Sequence, residues 1–458
     1  MTDCAARIAI PMSAGDNAPG LIALPTGTRR KRQAMRGEEF EPGTHGRVFY
    51  GWWIVGAVFV GQAISIGCTS YSFGLFQGPI TAELGASSTQ FNLGMTFFGV
   101  AMAVFAPFLG NLLDRHSIRG IMALGGALMA AGFFLMSLAP SLLSLGLLFG
   151  VAIGLGAATL GPLGASKVVA NWFVLRRGRA LGIAAVGTSL GGLLAPPLLI
   201  LAIEAFGWRG ALVAMGALVA LLAVPLAWLV IVNRPEDRGL APDGDAGQAA
   251  PTPEARPGAE PAAQWSFSGL LRERNFWVIG LSLGLCFATL GSLIANLPRH
   301  AADLGIEKLA ASFLLSALSA AAIVGKIGFG ALADRVDKRL LMWTAIAMLA
   351  LYYGALRLHI GYGALLGMSI VGGLSFGGFL PMWGALIGMC YGRENFGRVM
   401  GLMTPVMGPL NWLVFPLTGR VRDTTGSYDL AWVAFIGALA LAAVLLAFLR
   451  PPEREPGT

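Results

Sequence analysis

Gly110–Arg119 reads GNLLDRHSIR, and Gly330–Arg339 reads GALADRVDKR. Each closes a long apolar run with a glycine, then an Asp-Arg pair, then further cations. The two glycines stand 220 residues apart. A second pattern, G-R-x-x-G, occurs at Gly178–Gly182 and Gly397–Gly401, 219 residues apart, and Pro197 with Pro416 and Gly207 with Gly426 keep that register. Landmarks recurring at nearly one offset make the chain two copies of one design. An internal repeat of this kind decides the architecture before any local propensity is weighed.

The copies are built from apolar residues. Of the 458 residues 55% are hydrophobic and only 12% are charged, against about a quarter charged in soluble proteins. A membrane protein is the class that fits. Stretches long enough to cross ~30 Å of hydrocarbon, about 20 residues each, fall near 50–76, 90–113, 119–138, 142–169, 179–204 and 209–232, then near 275–297, 310–333, 340–358, 362–388, 398–419 and 430–449. The predicted fold is all-α and integral to the membrane, with twelve transmembrane helices in two pseudo-symmetric six-helix bundles. The expected domains are a disordered cytosolic tail (1–46), an N-terminal bundle (47–232), a linker rich in Pro, Gly and Asp with a surface helix near Trp265–Arg274 (233–274), a C-terminal bundle (275–450) and a short tail (451–458).

Charge sidedness sets the expected orientation. With the amino terminus inside, twenty-four of the 32 basic residues lie in the tails, the linker and the loops of one side, and six lie on the other. Cations gather on the cytosolic side of membrane proteins, so both termini are expected in the cytosol. The two basic residues left over, Lys167 and Lys326, fall inside spans. The four cysteines show no C-x-x-C spacing, no H-E-x-x-H and no Walker sequence occurs, and the two G-x-S-x-G matches at Gly187–Gly191 and Gly373–Gly377 lie within apolar spans. Zinc, disulfide, ATP-driven and hydrolase readings therefore lack their machinery. No enzyme activity, cofactor or metal is expected.

Twelve spans in two homologous halves, each with a Gly-x-x-x-Asp-Arg loop after its second helix, resemble the major facilitator superfamily. Tyr50-Gly51-Trp52-Trp53, Trp172-Phe173 before Arg176-Arg177-Gly178, Gly207-Trp208-Arg209 and Asn233-Arg234-Pro235-Glu236-Asp237 are similar to the bacterial monocarboxylate transporter-like branch, which neighbours the oxalate:formate antiporters. The resemblance implies a secondary transporter of a bacterial inner membrane, working by alternating access. It also implies a cytosolic gate in which Asp114, Arg115 and Arg119 act against helix 11, while Asp334, Arg335 and Arg339 act against helix 5.

Lys326 is the sharpest residue in the sequence. It lies eight residues before Asp334, hence ~12 Å deeper at 1.5 Å per residue. A cation there costs about 2.5 kcal/mol or more unless it meets a partner or a wet cavity, and no Asp or Glu lies at mid-depth in any span. Such an ammonium awaits an anion from outside the chain; the alternative is a lysine that snorkels to the cytosolic surface. The resemblance implies an arginine here that meets the substrate carboxylate, an Asp at the position of Ala322, and a lysine near Ser70. These departures put proton coupling through those residues in doubt. Gln62, Ser70 and Tyr71 of helix 1 and Asn411 of helix 11 are the further candidates for binding cargo, while Lys167 is expected to snorkel. The expected cargo is a small organic anion, a monocarboxylate, moved by symport or anion exchange. A proton or counter-anion and membrane lipid are the other expected partners, with no nucleic acid, and the unit is a monomer. An exporter of hydrophobic or drug-like compounds on the same fold, and a non-transporting membrane sensor, are the alternatives.

Overall fold

The computed structural model describes residues 49–244, 267–333, 335–392 and 395–450. The expected tails, Asp334 and most of the linker lie outside these residues. Among the described residues, eleven helical stretches are long and apolar enough to cross a membrane, and one of them holds two spans. Arg177–Val230 has 54 residues, about 80 Å of helix, more than twice the thickness of a hydrocarbon core. It breaks at Gly207, whose φ of 69° and ψ of 171° leave the helical region. The first half is therefore α1 (Tyr50–Tyr71), α2 (Ser88–Arg115), α3 (Ile118–Ser137), α4 (Leu142–Trp172), α5 (177–206) and α6 (208–230). The second is α7 (Arg274–Asp303), α8 (Lys308–Leu332), α9 (Lys338–Arg357), α10 (Tyr362–Tyr391), α11 (Phe396–Thr425) and α12 (Asp429–Ala447).

The sequence repeat survives in three dimensions. Helices α2 and α8 begin at Ser88 and Lys308, at the same offset as the Asp-Arg motifs. Gly207 and Gly426, which turn α5 into α6 and α11 into α12, have φ of 69° and 78°. Only a residue without Cβ takes up that backbone at no steric cost, and this accounts for glycine in both copies.

Each half has its own apolar core. Phe133, Met129, Trp172 and Phe173 belong to one cluster and Phe276, Tyr352, Phe379 and Trp432 to the other. Few residues cross between them: Ala295 and Phe415 join the first cluster and Tyr71 joins the second. Within a half, glycines bring helices close, as lipid-embedded packing requires. A Cβ at Gly187 or Gly191 of α5 would collide with the α1 backbone at Phe59 or Ala63, and one at Gly373 of α10 with the α8 carbonyl of Leu318. The G-x-S-x-G matches are thus helix-packing cassettes.

The ends of the N-terminal half are tied by the motifs that carried the family resemblance. At the face bearing Arg115, Arg119, Arg176 and Arg335, here the cation-rich face, the Tyr50 hydroxyl donates to Val230 O (2.8 Å) and Trp172 Nε1 to Val232 O (2.8 Å). At the opposite, cation-poor face, Trp208 Nε1 and Arg209 Nη2 bind Glu83 at 2.6 and 2.8 Å, and these two bonds hold its carboxyl below the usual range.

Residues 233–244, expected as free linker, instead fold back on the first half. The Arg119 N–H donates to Asn233 Oδ1 (3.1 Å), and the N–H groups of Val174, Leu175 and Arg176 converge on the Asp243 carboxylate at 2.8, 2.8 and 3.1 Å. Burial alone would raise the Asp243 pKa, but the three N–H donors outweigh it and hold the group low. Of the expected surface helix, a single turn and a half, Phe267–Arg272, is helical before α7 begins.

Candidate functional site

The halves meet along two pairs of helices, α2 with α11 and α5 with α8, and the contact is uneven along their length. Towards the cation-poor face it is tight. Asn92 Nδ2 donates to Asn296 Oδ1 (3.0 Å), the Thr96 hydroxyl to Trp412 O (2.8 Å) and Gln77 Nε2 to the Tyr428 hydroxyl (3.4 Å). A Cβ at Gly74 would strike Ala295 of α7. Towards the cation-rich face the same helices stand clear. Gly110 of α2, Gly178 and Gly182 of α5, Gly328 and Gly330 of α8 and Gly401 of α11 would each meet nothing within 4 Å if given a Cβ. The halves are thus in direct contact at the cation-poor face, whereas these glycines at the cation-rich end touch no neighbouring helix.

The Asp114 carboxylate is engaged by Lys167 of α4, within its own half. Lys167, expected to snorkel, ends on this carboxylate. Arg119 lies over the Trp228 ring of α6 at 4.5 Å, the Arg339 N–H donates to Asp337 Oδ1 (2.7 Å), and Arg115 and Arg335 are exposed. Asp334 lies outside the described residues.

Near the middle of the bundle, both halves border a cavity of about 380 Å³. Ser70, Tyr71 and Thr188 supply hydroxyls from α1 and α5, and Asn411 an amide from α11; Met95, Phe287, Leu290 and Phe376 are among its apolar walls. Ser70 and Tyr71 stand in a π-helical turn, Gly67–Tyr71, at the end of α1, the kind of local irregularity found at functional sites. Gln62 is not at this cavity. It is 4% exposed, and its amide donates to Ala184 O of α5 at 2.9 Å, so the candidate is an interhelical tie.

Lys326 projects from α8 across to α5. Its ammonium donates to Ala185 O (3.0 Å), the Thr188 hydroxyl (2.9 Å) and the Ser189 hydroxyl (2.9 Å). All three acceptors are neutral, and among the described residues no carboxylate pairs with it. Thr188 both binds this ammonium and borders the cavity. Gly377 of α10 lies against the α8 backbone at Lys326, where a Cβ would come within 2.6 Å of its nitrogen. Both copies of the glycine cassette thus place Lys326, one by seating its helix and one by presenting Thr188 and Ser189. Those two hydroxyls and the aromatic residues Phe287 and Phe376 were missed as candidates. The signal for the hydroxyls was Gly187-Thr-Ser-Leu-Gly191 read as a packing stripe with polar residues between its glycines; the aromatics carry no comparable signal.

Two repeats of six membrane-spanning helices that together border a central cavity define a membrane transporter. The profile of the Major Facilitator Superfamily matches residues 58–356 and 279–458. Monocarboxylate transporter 12 of Mus musculus is 31% identical over 376 residues, which cover 78% of this chain and 77% of that one. Monocarboxylate transporter 13 of Bos taurus is 30% identical over 403 residues, covering 86% and 87%. Among solved structures, a bacterial homologue of the human lysosomal transporter Spinster, in an inward-facing and occupied conformation, is similar in fold with a TM-score of 0.65 at 16% identity, over 88% of this chain and 97% of that one. The chain belongs to the Major Facilitator Superfamily. It is a multi-pass membrane protein and a secondary transporter of a small molecule, not an enzyme.

Proposed function

We propose that the protein carries a small organic anion, a monocarboxylate, by alternating access, and that Lys326 supplies the positive charge that meets the carboxylate. The observation that carries this reading is the Lys326 ammonium itself, held between the halves by three neutral oxygens. Neutral acceptors orient a charge without cancelling it. In a setting of low dielectric that uncompensated charge favours binding of an anion. Because the ammonium comes from α8 and its acceptors from α5, an anion bound there touches both halves. Rocking of one half against the other about such a site exposes it to each face in turn. The monocarboxylate transporters among the relatives support the cargo class.

In this reading Ser70, Tyr71, Thr188 and Asn411 hydrogen-bond the cargo. Asp114 with Arg115 and Arg119, and Asp334 with Arg335 and Arg339, latch the cation-rich face in the conformation where it closes. That face is cytosolic, as the distribution of cations favours, in a bacterial inner membrane and with both termini inside. The carrier acts as a monomer, by proton symport or by anion exchange.

The test is counterflow in proteoliposomes with a panel of labelled carboxylates at two external pH values. Concentrative exchange without a pH response indicates antiport, and acid stimulation of net uptake indicates symport. Absence of counterflow with every carboxylate overturns the cargo class. The apolar walls formed by Phe287, Leu290 and Phe376 favour a second reading, export of hydrophobic compounds; in that case Lys326→Ala leaves transport of such compounds intact.

A further inference from the structure

The two copies also meet at the cation-poor face, and there they differ. On the α2–α11 side, Asp423 accepts from the Ser88 N–H (2.9 Å), the Thr89 N–H (2.8 Å) and the Thr89 hydroxyl (2.6 Å). A carboxylate from one half thus sits at the start of a helix of the other. The close approach depends on Gly419, where a Cβ would lie 2.6 Å from Thr89 Cα and 2.7 Å from Ser88 O.

The repeat maps this contact onto the start of α8. Lys308 stands where Ser88 stands, Glu204 where Asp423 stands, and Ile200 where Gly419 stands. An isoleucine occupies space that glycine leaves free, so α5 and α8 cannot close up in the same way. A cavity of about 350 Å³ lies there instead, bordered by Ile200 and Ile203 of α5, Gly74 and Gly78 of the α1–α2 connection, and Arg299 and Lys308 of the second half.

Its charge is one-sided. No carboxylate borders it, and among the described residues neither Glu204 nor Lys308 takes part in an ion pair. Glu307, next to Lys308, is exposed and is not part of the wall. Arg299 has only a share in Asp303: it lies 3.5 Å from that carboxylate, while Arg422 binds both of its oxygens at 2.8 and 2.9 Å. Arg299 shares Asp303 with Arg422, which also has Asp423 beside it, and Lys308 adds a cation that no carboxylate pairs with among the described residues. Arg299 and Lys308 are two of only six cations on this face, and both flank one cavity formed by both halves.

We propose that this cavity is a second anion site, separate from the central one, which takes the carboxylate of a small organic anion from the cation-poor side. The place that Asp423 fills at α2 is filled at α8 by a carboxylate from solution. The site needs nothing from Lys326, so it stands or falls apart from the cargo reading.

Ala302 borders the cavity and is exposed, which makes Ala302→Cys a reporter in the otherwise unchanged chain. The probes are an anionic sulfonatoethyl and a cationic trimethylammonioethyl methanethiosulfonate, with rates referred to free cysteine and to the chain without the added thiol. A cationic cavity makes the anionic reagent react about tenfold faster than the cationic one, the lower end of electrostatic focusing in clefts. Lys308→Gln with Arg299→Gln brings the ratio near one. Millimolar benzoate slows labelling by an uncharged methanethiosulfonate in the parent and not in the double variant. Equal rates for the two charged reagents, or no protection by benzoate, overturn the site. So does protection that arises only in Glu204→Gln, because Glu204 would then already occupy the place.

Discussion

The Thr188 hydroxyl lies 2.9 Å from the Lys326 ammonium and is also on the wall of the central cavity. One residue of the first half therefore links the buried charge of the second half to the space where cargo would sit. In the proposed cycle, a ligand carboxylate that takes over the ammonium would break a bond between the halves as it forms its own.

Charge at this point should matter more than shape. Lys326→Ala is expected to lower carboxylate counterflow by roughly 10- to 100-fold, the worth of a charge-assisted hydrogen bond of about 1.5–3 kcal/mol. Lys326→Arg keeps the charge and should retain a substantial part of the rate. Thr188→Val removes one acceptor at constant shape and should cost less than Lys326→Ala. Initial rates against concentration for the three variants check the order.

The Asp423 bond to α2 closes the cation-poor face in this conformation. Asp423→Ala removes a carboxylate that acts as a helix N-terminal cap, worth about 1 kcal/mol at an exposed site, which shifts the conformational equilibrium about fivefold towards opening of that face. Spin-label distances across the cation-poor ends of α2 and α11 should broaden towards longer values. An unchanged distribution contradicts the latch.

Glycines on the two sides of the cleft should behave in opposite ways. Gly419→Leu forces atoms into the α2 backbone and is expected to lower the thermal midpoint in detergent, by an overpacking cost of about 1–3 kcal/mol. Gly110→Leu and Gly401→Leu meet open space in this conformation and should leave the midpoint nearly unchanged. They should nevertheless reduce transport, because the cation-rich ends of α2 and α11 must approach each other when that face closes.

The Asp243 clamp predicts a pH-dependent stability term. Its folded pKa is lowered, so its contribution is complete above the ordinary Asp value of about 3.9 and is lost as pH falls through the depressed value. Asp243→Asn is expected to cost about 1–2 kcal/mol at neutral pH, with the left-handed backbone at this position (φ 61°) still accessible to Asn. Thermal midpoints of the two proteins should converge only below about pH 4.

Gln62 and Thr188 show where reading the sequence stopped. Both are polar residues in apolar helices, and in sequence they are equally plausible ligands for a cargo. Gln62 is turned to α5 and ties to Ala184, while Thr188 is turned to the cavity and Lys326. The difference is rotation about a helix axis, and the π-helical turn at Gly67–Tyr71 alters the angular step on which a face is counted in α1. Lys326 was legible for the opposite reason, since a charge with no acid at its depth stands out whichever way its helix is turned.

The amino-acid order by itself determined the duplication, the twelve spans and the sidedness of charge. Each of these depends on what is apolar, charged or glycine along the chain, and the bilayer fixes span length whatever the packing. Only the tertiary structure decided that Asp114 pairs with Lys167, that Ser70, Tyr71, Thr188 and Asn411 share one cavity, and that the repeat is latched at Asp423 and open at Lys308. Those outcomes turn on helix rotation, on a single glycine or isoleucine at a crossing, and on which conformation the halves occupy. The free energies involved are of the order of 1 kcal/mol per contact, too small and too cooperative to be assigned before the helices are placed side by side.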